Sequence, residues 1–170
     1  MTQEARAMVV ILMGVSGAGK TTIGQCLAKD LGWPFYEGDD FHPQTNIDKM
    51  RQGIALNDAD RDVWLIALES LISELVYKRQ SAVIACSALK CTYRKRLQTD
   101  VAMVQFVYLK GNFALIQKRL QERCGHFMNA DLLANQFDTL EEPVEVLTID
   151  VAQEPEVIVG LIKSGIGTVT

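Results

Sequence analysis

Residues 14–21 have the types and spacing of a loop that binds phosphate. They fit the pattern G-x-x-x-x-G-K-[S/T] at every position, and the eight residues are Gly14, Val15, Ser16, Gly17, Ala18, Gly19, Lys20 and Thr21. Glycines allow successive backbone N–H groups to turn inward and bind an anion. In such loops the lysine contacts the β- and γ-phosphates and the hydroxyl ligates magnesium. We therefore expect a nucleotide at this loop, with Thr21 as a ligand of Mg²⁺. A glycine-rich turn that merely joins a strand to a helix is the alternative.

The ends of the other predicted strands indicate what the nucleotide is used for. The chain contains neither a D-x-x-G nor an N-K-x-D motif, which a signalling GTPase would carry. The strand at residues 82–86 ends in Cys86-Ser87, without the acidic pair usual in motor ATPases. The acidic strand end is instead at Asp39-Asp40, after residues 35–37. This arrangement is typical of kinases in which the second strand delivers a carboxylate to the hydroxyl of a small acceptor.

Two arginines further along the chain are candidates for contact with the nucleotide phosphates. Arg119 and Arg123 are four residues apart on a predicted helix, so they share one face. Residues 124–126, Cys-Gly-His, then end that helix. We expect a mobile lid at about residues 119–135, from which both arginines could close over the triphosphate and neutralise the transferred charge. A solvated basic helix face is the alternative.

Apolar segments alternate between the patterns of strands and helices. Strand patterns occur at residues 9–13, 34–37, 82–86, 104–109 and 146–149. Helix patterns occur at residues 21–31, 60–77, 90–98, 113–123, 131–140 and 155–163. The polar stretch from residue 41 to residue 59 is predicted to be short helix and loop. Because the strands are apolar on both faces, the pattern predicts a doubly wound α/β fold with a parallel five-stranded sheet covered by helices on both faces.

Length, composition and charge exclude several other classes of protein. The chain has 170 residues, 48% of them hydrophobic, which predicts a single domain spanning residues 1–170. Its net charge of −4 disfavours a nucleic-acid surface, and its longest apolar run is far shorter than the roughly 20 residues that span a bilayer. The N-terminus has no signal-peptide pattern, so we expect a cytoplasmic protein whose four cysteines are thiols. With two histidines, a zinc site is not expected.

Several short blocks go beyond the features shared by all phosphate loops. With them the chain resembles the small, single-domain bacterial gluconokinases over about residues 8–143. The blocks are residues 12–17, 38–43, 46–50, 56–58, 60–61, 64–65, 86–90, 93–94, 109–111, 125–127 and 136–137. The resemblance implies a P-loop kinase fold and the reaction of ATP with D-gluconate to give 6-phospho-D-gluconate and ADP. It also implies Mg²⁺ as cofactor and a homodimer.

On this resemblance, Asp39 is the candidate that accepts the proton of the attacking 6-hydroxyl. A carboxylate is a weak base, but phosphoryl transfer has a loose transition state in which positioning matters more than base strength. Either Asp39 or the adjacent Asp40 could be the base, with the other structural. A helix-capping role is the alternative for Asp39.

Gluconate is an open-chain polyol with a carboxylate, so its pocket needs a cation and groups that bind hydroxyls. Arg61 is the first choice for the carboxylate, because its guanidinium offers a bidentate fork. Lys90 and Arg94 are further candidates for the carboxylate or the incoming phosphate, with a solvated helix face as the alternative. His42 could bind the sugar acid, and His126 in the predicted lid could contact nucleotide or substrate. Both histidines could instead be structural.

Two other functions fit part of this pattern. A kinase of the same build could act on another small acid, such as shikimate or idonate, because the phosphate loop, Asp39 and the lid arginines would serve either substrate. A nucleotide-binding regulator without turnover would need only the loop. Residues 39–43 favour gluconate over the first alternative. The combination of the Lys20-Thr21 pair, Asp39 and the lid arginines argues against the second.

Overall fold

A five-stranded parallel sheet forms the centre of the molecule. The computed structural model describes residues 7–123 and 130–167. The strand order is β2-β3-β1-β4-β5, and each neighbouring pair is parallel. The strands are β1 (Val9–Met13), β2 (Phe35–Glu37), β3 (Ala82–Ala85), β4 (Val104–Lys110) and β5 (Leu147–Asp150). This architecture confirms the predicted doubly wound α/β fold.

Helices cover both faces of the sheet. They are α1 (Lys20–Leu31), α2 (Gln44–Arg51), α3 (Asp58–Tyr77), α4 (Cys91–Leu97), α5 (Phe113–Glu122), α6 (Ala130–Thr139) and α7 (Pro155–Gly165). Val10 and Leu12 of β1 belong to a core that includes residues of α1, α5 and α7, whereas Val9, Ile11 and Met13 belong to a second core with α3 and α4. Adjacent residues of the buried strand therefore point to opposite faces, as the continuous apolar pattern requires. Within residues 7–123 and 130–167, no helix is both long and apolar enough to cross a membrane.

The polar stretch at residues 41–59 contains a short helix and a loop, as predicted, but α3 begins earlier than the sequence indicates. A 3₁₀ turn at Gly38–Phe41 is followed by α2, and α3 begins at Asp58 rather than at residue 60. The start of α3 is fixed by a capping box, in which the Asn57 side chain accepts from the backbone N–H of Asp60 and the Asp60 carboxylate accepts from that of Asn57. These bonds satisfy N–H groups that the first helical turn leaves without partners. The cap, rather than the apolar periodicity, determines where this helix begins.

The carboxyl ends of β1, β2 and β3 lie side by side and lead into the loops of the candidate site. β3 lies between β1 and β2, and the register pairs Glu37 of β2 with Ala85 of β3. Directly after β2, a Cβ atom on Gly38 would lie 2.3 Å from the carbonyl oxygen of Ala85. Glycine is therefore required where the chain leaves β2. In open α/β sheets this edge is the usual place for a ligand.

Candidate active site

The predicted phosphate loop joins the central strand β1 to helix α1. Its residue Gly19 has a φ of +94°, a left-handed conformation that glycine adopts without strain, and α1 begins at the next residue. The N-terminal end of α1, with its positive dipole, therefore lies at the loop, which favours an anion there. The local structure is the strand, loop and helix that the motif requires.

Lys20 is held against its own loop. Its Nζ donates hydrogen bonds to the carbonyl oxygens of Gly14, at 2.9 Å, and Val15, at 3.0 Å. Burial of the ammonium group lowers the pKa of Lys20, and the nearby carboxylates of Asp39 and Glu37 oppose this shift. The lysine thus lies where the phosphate loop and the acidic end of β2 face one another.

Thr21 contacts a carboxylate to which the sequence analysis gave no role. Its Oγ1 donates a hydrogen bond of 2.5 Å to Oε2 of Glu37, the last residue of β2. A hydroxyl and a carboxylate oxygen are hard ligands of the kind that Mg²⁺ prefers. The sequence shows Glu37 as a third acidic residue close to Asp39 and Asp40. Its contact with Thr21 could not be predicted, because it depends on the pairing of β2 in the sheet.

The turn after β2 presents Asp39 to a cavity of about 510 Å³, which the phosphate loop also lines. The described residues that line the cavity include Asp39 but not Asp40. The Asp39 side chain is 70% exposed, and its Oδ1 lies 4.0 Å from Nε2 of His42. Of the two carboxylates left open by the sequence, Asp39 therefore has the position that contact with an acceptor requires.

His42 and Trp64 form the wall behind Asp39. Their rings stack with centroids 4.5 Å apart and planes 11° apart, and the indole Nε1 donates to the carbonyl oxygen of Gly38 at 2.8 Å. Burial of the imidazole lowers the pKa of His42, while the Asp39 carboxylate opposes this shift. Trp64 thus fixes the backbone just before Asp39. In the sequence, this tryptophan stands out only as part of the resemblance.

Of the predicted cations for the acid group, Arg61 lines the cavity. Its guanidinium lies 5.8 Å from the centre of the Tyr93 ring, and its Nη1 is 3.5 Å from the Tyr93 hydroxyl. Lys90 is not among the described lining residues, and its Nζ donates to both carboxylate oxygens of Asp58, at 2.8 and 3.1 Å. Arg61 therefore lies at the cavity, whereas Lys90 is paired with Asp58.

Arg94 has a different environment from the one expected. It is 8% exposed, and its guanidinium donates to the carbonyl oxygens of Ala88, Leu89 and Glu141, at 2.9, 3.0 and 2.8 Å. It is not among the described lining residues of the cavity. The solvated face considered as an alternative is therefore wrong for Arg94. Its hydrogen bonds hold the loop after β3 to the segment after α6, and we leave it out of the substrate site proposed below.

Of the two predicted lid arginines, one lies at the cavity and the other contacts the backbone after β5. Arg123 lines the cavity, and its charge contributes to the lowered pKa of Lys20. Arg119 donates from Nη2 to the carbonyl oxygen of Val151, at 2.5 Å, and is not among the described lining residues. His126 and residues 124–129 of the predicted lid lie outside the described residues. Contact of both arginines with nucleotide, and the lid itself, stay predictions.

Gln136 of α6 makes two hydrogen bonds to one residue of the phosphate loop. Its Oε1 accepts from the backbone N–H of Ser16 at 2.7 Å, and its Nε2 donates to the Ser16 hydroxyl at 3.0 Å. The two residues are 120 positions apart in the chain. Gln136 also lines the cavity, so α6 is tied directly to the nucleotide end of the site. In the sequence, Gln136 is part of the resemblance, but nothing there indicates this contact.

One part of the cavity wall is apolar and comes from the α2–α3 segment. Met50, Ile54, Ala55 and Leu56 line it. At the end of β3, Ser87 also lines the cavity, and burial raises the pKa of the adjacent Cys86 thiol to about 12. This thiol is thus protonated and uncharged at neutral pH. The cavity lining therefore combines the cationic phosphate loop, a carboxylate and an apolar wall, as in small-molecule binding cavities generally.

This fold, with its phosphate loop and acidic strand end, is that of a P-loop kinase. The family model described as shikimate kinase matches residues 16–153, and the chain is a P-loop kinase of that family. It is 43% identical to the probable gluconokinase of Xenopus tropicalis over 174 residues, with 92% of each chain covered. It is 41% identical to the thermoresistant gluconokinase of Escherichia coli over 165 residues, with 92% of this chain and 94% of that protein covered.

Solved structures show the same similarity. A gluconokinase from Sinorhizobium meliloti superposes with a TM-score of 0.86 and 39% sequence identity, covering 97% of this chain and 94% of that one. Within the P-loop kinases, the chain therefore belongs to the gluconokinase family. The resemblance found in the sequence is thereby confirmed.

Proposed function

We propose that the protein transfers the γ-phosphoryl group of ATP to the 6-hydroxyl of D-gluconate, giving 6-phospho-D-gluconate and ADP. The observation that carries the proposal is that Lys20, Asp39 and Arg61 line a single cavity. A cation for phosphate, a carboxylate for a hydroxyl and a second cation for an acid group are what this reaction needs. The relatives named gluconokinase support gluconate, rather than shikimate or idonate, as the acceptor.

The residues at the loop fit ATP and one Mg²⁺ in their chemistry. The backbone N–H groups of the loop, the N-terminus of α1 and the Lys20 ammonium suit a triphosphate, while the Thr21 hydroxyl and the Glu37 carboxylate suit the metal. When bound, Mg·ATP supplies the phosphoryl group and neutralises part of its negative charge. Lys20 provides a positive charge at the loop, and Arg123, which lines the same cavity, provides a second.

Asp39 would orient the acceptor hydroxyl and take its proton. Because the carboxylate follows β2 directly and its backbone is held through Gly38 by Trp64, it needs little rearrangement before the reaction. Asp40, which is not among the described lining residues, is assigned no contact with substrate. We propose a positioning and proton-accepting role for Asp39 alone.

Arg61 is the proposed ligand of the gluconate carboxylate, and His42 of a gluconate hydroxyl. The guanidinium can meet both carboxylate oxygens at once. Lys90 and His126 stay predictions as further substrate contacts. The homodimer and the cytoplasmic location, together with the absence of nucleic-acid and membrane partners, also stay predictions that the sequence and the resemblance support.

The experiment that tests this function is ADP release from purified protein with ATP, Mg²⁺ and a panel of acids. We expect release that depends on D-gluconate and exceeds that with idonate or shikimate, together with a product that 6-phosphogluconate dehydrogenase oxidises. Turnover on shikimate or idonate alone would keep the kinase and overturn the acceptor. ATP binding without ADP release on any acid would instead support a regulator.

A further inference from the structure

The orientation of the buried Asn46 amide follows from its two partners. Asn46 lies in α2 and is 2% exposed. Its Nδ2 is 2.7 Å from the backbone carbonyl oxygen of Asp60 and 3.2 Å from Nδ1 of His42. A carbonyl oxygen can only accept a hydrogen bond, so the NH₂ end of the amide must face Asp60. An amide NH₂ group only donates, so its second partner, Nδ1 of His42, must be the acceptor.

The tautomer of His42 follows from this bond. An imidazole whose Nδ1 accepts is neutral and has its proton on Nε2. The His42 side chain is 5% exposed and stacked on Trp64, and its burial lowers its pKa, so a neutral ring is favoured. Two charged groups act on the ring from other elements, namely Asp39, which raises the pKa of His42, and Arg61 of α3, which lowers it. The Nε2–H group lies on the side of the ring nearer Asp39.

The distance between His42 and Asp39 suits a group that bonds to both. Nε2 is 4.0 Å from Asp39 Oδ1, which is too long for a direct hydrogen bond. One hydroxyl oxygen can lie about 3 Å from both atoms, accepting from Nε2–H while donating its own hydrogen to the carboxylate. The other tautomer would present a lone pair to that oxygen and would leave the hydroxyl without a donor.

We propose that Asn46 is a positioning residue, which fixes His42 as the Nε2–H tautomer so that His42 and Asp39 together orient the acceptor hydroxyl. The orientation of the acceptor hydroxyl rests on the proposed function, whereas the assignment of the His42 tautomer is independent of it. Asn46 itself is held by the start of α3 through Asp60, and Trp64 of the same helix supports the ring. Helix α3 therefore sets both the position of the imidazole and the location of its proton.

The tautomer is tested by NMR on ¹⁵N-labelled full-length protein. Two-bond ¹⁵N–¹H correlation spectra show which ring nitrogen is protonated, and because the chain has two histidines, His42→Gln assigns the signal by its loss. We expect the Nε2–H form in the unmodified protein at neutral pH. In Asn46→Leu, which is of similar size and has no group that can donate to Nδ1, we expect the Nδ1–H form to become detectable. A wild-type Nδ1–H ring, or an unchanged Nε2–H population in a folded Asn46→Leu protein, would overturn the proposal.

The consequence for catalysis is tested with Asn46→Ala, and Gln44→Ala serves as the matched control. Gln44 lies on the same helix, and within the described residues its side chain hydrogen-bonds to the exposed Asp48 and not to His42. Its loss therefore perturbs α2 without changing His42. We expect kcat with gluconate to fall about 10- to 100-fold in Asn46→Ala, with the KM for ATP within about twofold. The control should keep both values.

The two arms separate the possible failures. If the expected tautomer is found but no variant affects turnover on any acid, the orienting role is wrong although the tautomer is right. If gluconate is not phosphorylated at all, the proposed function fails while the tautomer result still stands. An equal fall of kcat in the Gln44 control would show a general effect of α2 and overturn the specific role of Asn46.

Discussion

Gly38 joins the end of β2 to the turn that carries Asp39, and the structure leaves no room for a side chain there. A Cβ atom at this position would lie 2.3 Å from the carbonyl oxygen of Ala85, where ordinary contact begins at 3.4 Å. In Gly38→Ala the two groups must separate by about 1 Å. Because Ala85 is hydrogen-bonded within β3, between two neighbouring strands, we expect the turn with Asp39 to take most of this displacement.

The size of the effect follows from that displacement. A shift of about 1 Å in a group that positions a reactant can cost about 100-fold in rate, so we expect kcat with gluconate to fall by about that factor. Overpacking of this kind also costs roughly 1–3 kcal/mol in the free energy of unfolding. The KM for ATP should change little, because the phosphate loop follows β1 rather than β2.

Coupled ADP release and urea unfolding measure the two effects, with Gly160→Ala as the control. Gly160 lies within α7, and a Cβ atom there would meet nothing within 4 Å. Alanine is the better helix former, so this substitution should raise the free energy of unfolding by about 0.5–1 kcal/mol and leave kcat unchanged. A Gly38→Ala protein with kcat within twofold of the original would refute the claim that this contact positions Asp39.

Four further substitutions test the roles assigned above. In Asp39→Asn, kcat should fall about 10²- to 10⁴-fold with ATP binding retained, whereas Asp40→Asn should keep a kcat near the original value. The reverse result in the ADP assay would assign the catalytic role to Asp40 instead of Asp39. Gln136→Met keeps the length of the side chain but loses both hydrogen bonds to the phosphate loop, so the KM for ATP should rise several-fold. An equal rise in the KM for gluconate would contradict the assignment of Gln136 to the nucleotide end of the site. In Arg94→Met, three carbonyl oxygens each lose one donor, and the bonds to Ala88 and Leu89 are buried, so the free energy of unfolding should fall by about 3 kcal/mol in urea titrations. An unchanged value would mean that these bonds contribute no stability.

The strands and the phosphate loop were predictable because their signals are local. Each buried strand is a short apolar run, and the loop motif lies between a strand and a helix in the sequence as in the structure. The start of α3 was displaced by two residues, since the Asn57 cap determines it and apolar spacing does not report a cap. Asp39 was predicted because an acidic residue directly after a predicted strand is unusual. Arg61 was predicted because it lies in one of the blocks that carry the resemblance.

The contacts that complete the site were not predictable, because they join distant parts of the chain. The bonds of Gln136 to Ser16 and of Thr21 to Glu37 depend on how α6 and β2 pack against the loop. Arg94 shows a related limit. Helical spacing tells which residues share a face of α4, but only the packing of α4 on the sheet decides that Arg94 is buried while neighbouring Lys95 is exposed.

The place of β3 in the sheet has a consequence for how acceptor preference can change. The phosphoryl-binding loop follows β1 and the carboxylate follows β2, so the two are separated by two strand spacings, about 10 Å, with β3 between them. The spacing of the strands is set by backbone hydrogen bonds, so it does not depend on the side chains of the α2–α3 wall. At the end of β3, the small, uncharged residue Ser87 lines the cavity. Acceptors of different length can therefore be accommodated by changes in the α2–α3 wall alone, while the spacing between phosphoryl donor and acceptor hydroxyl stays constant.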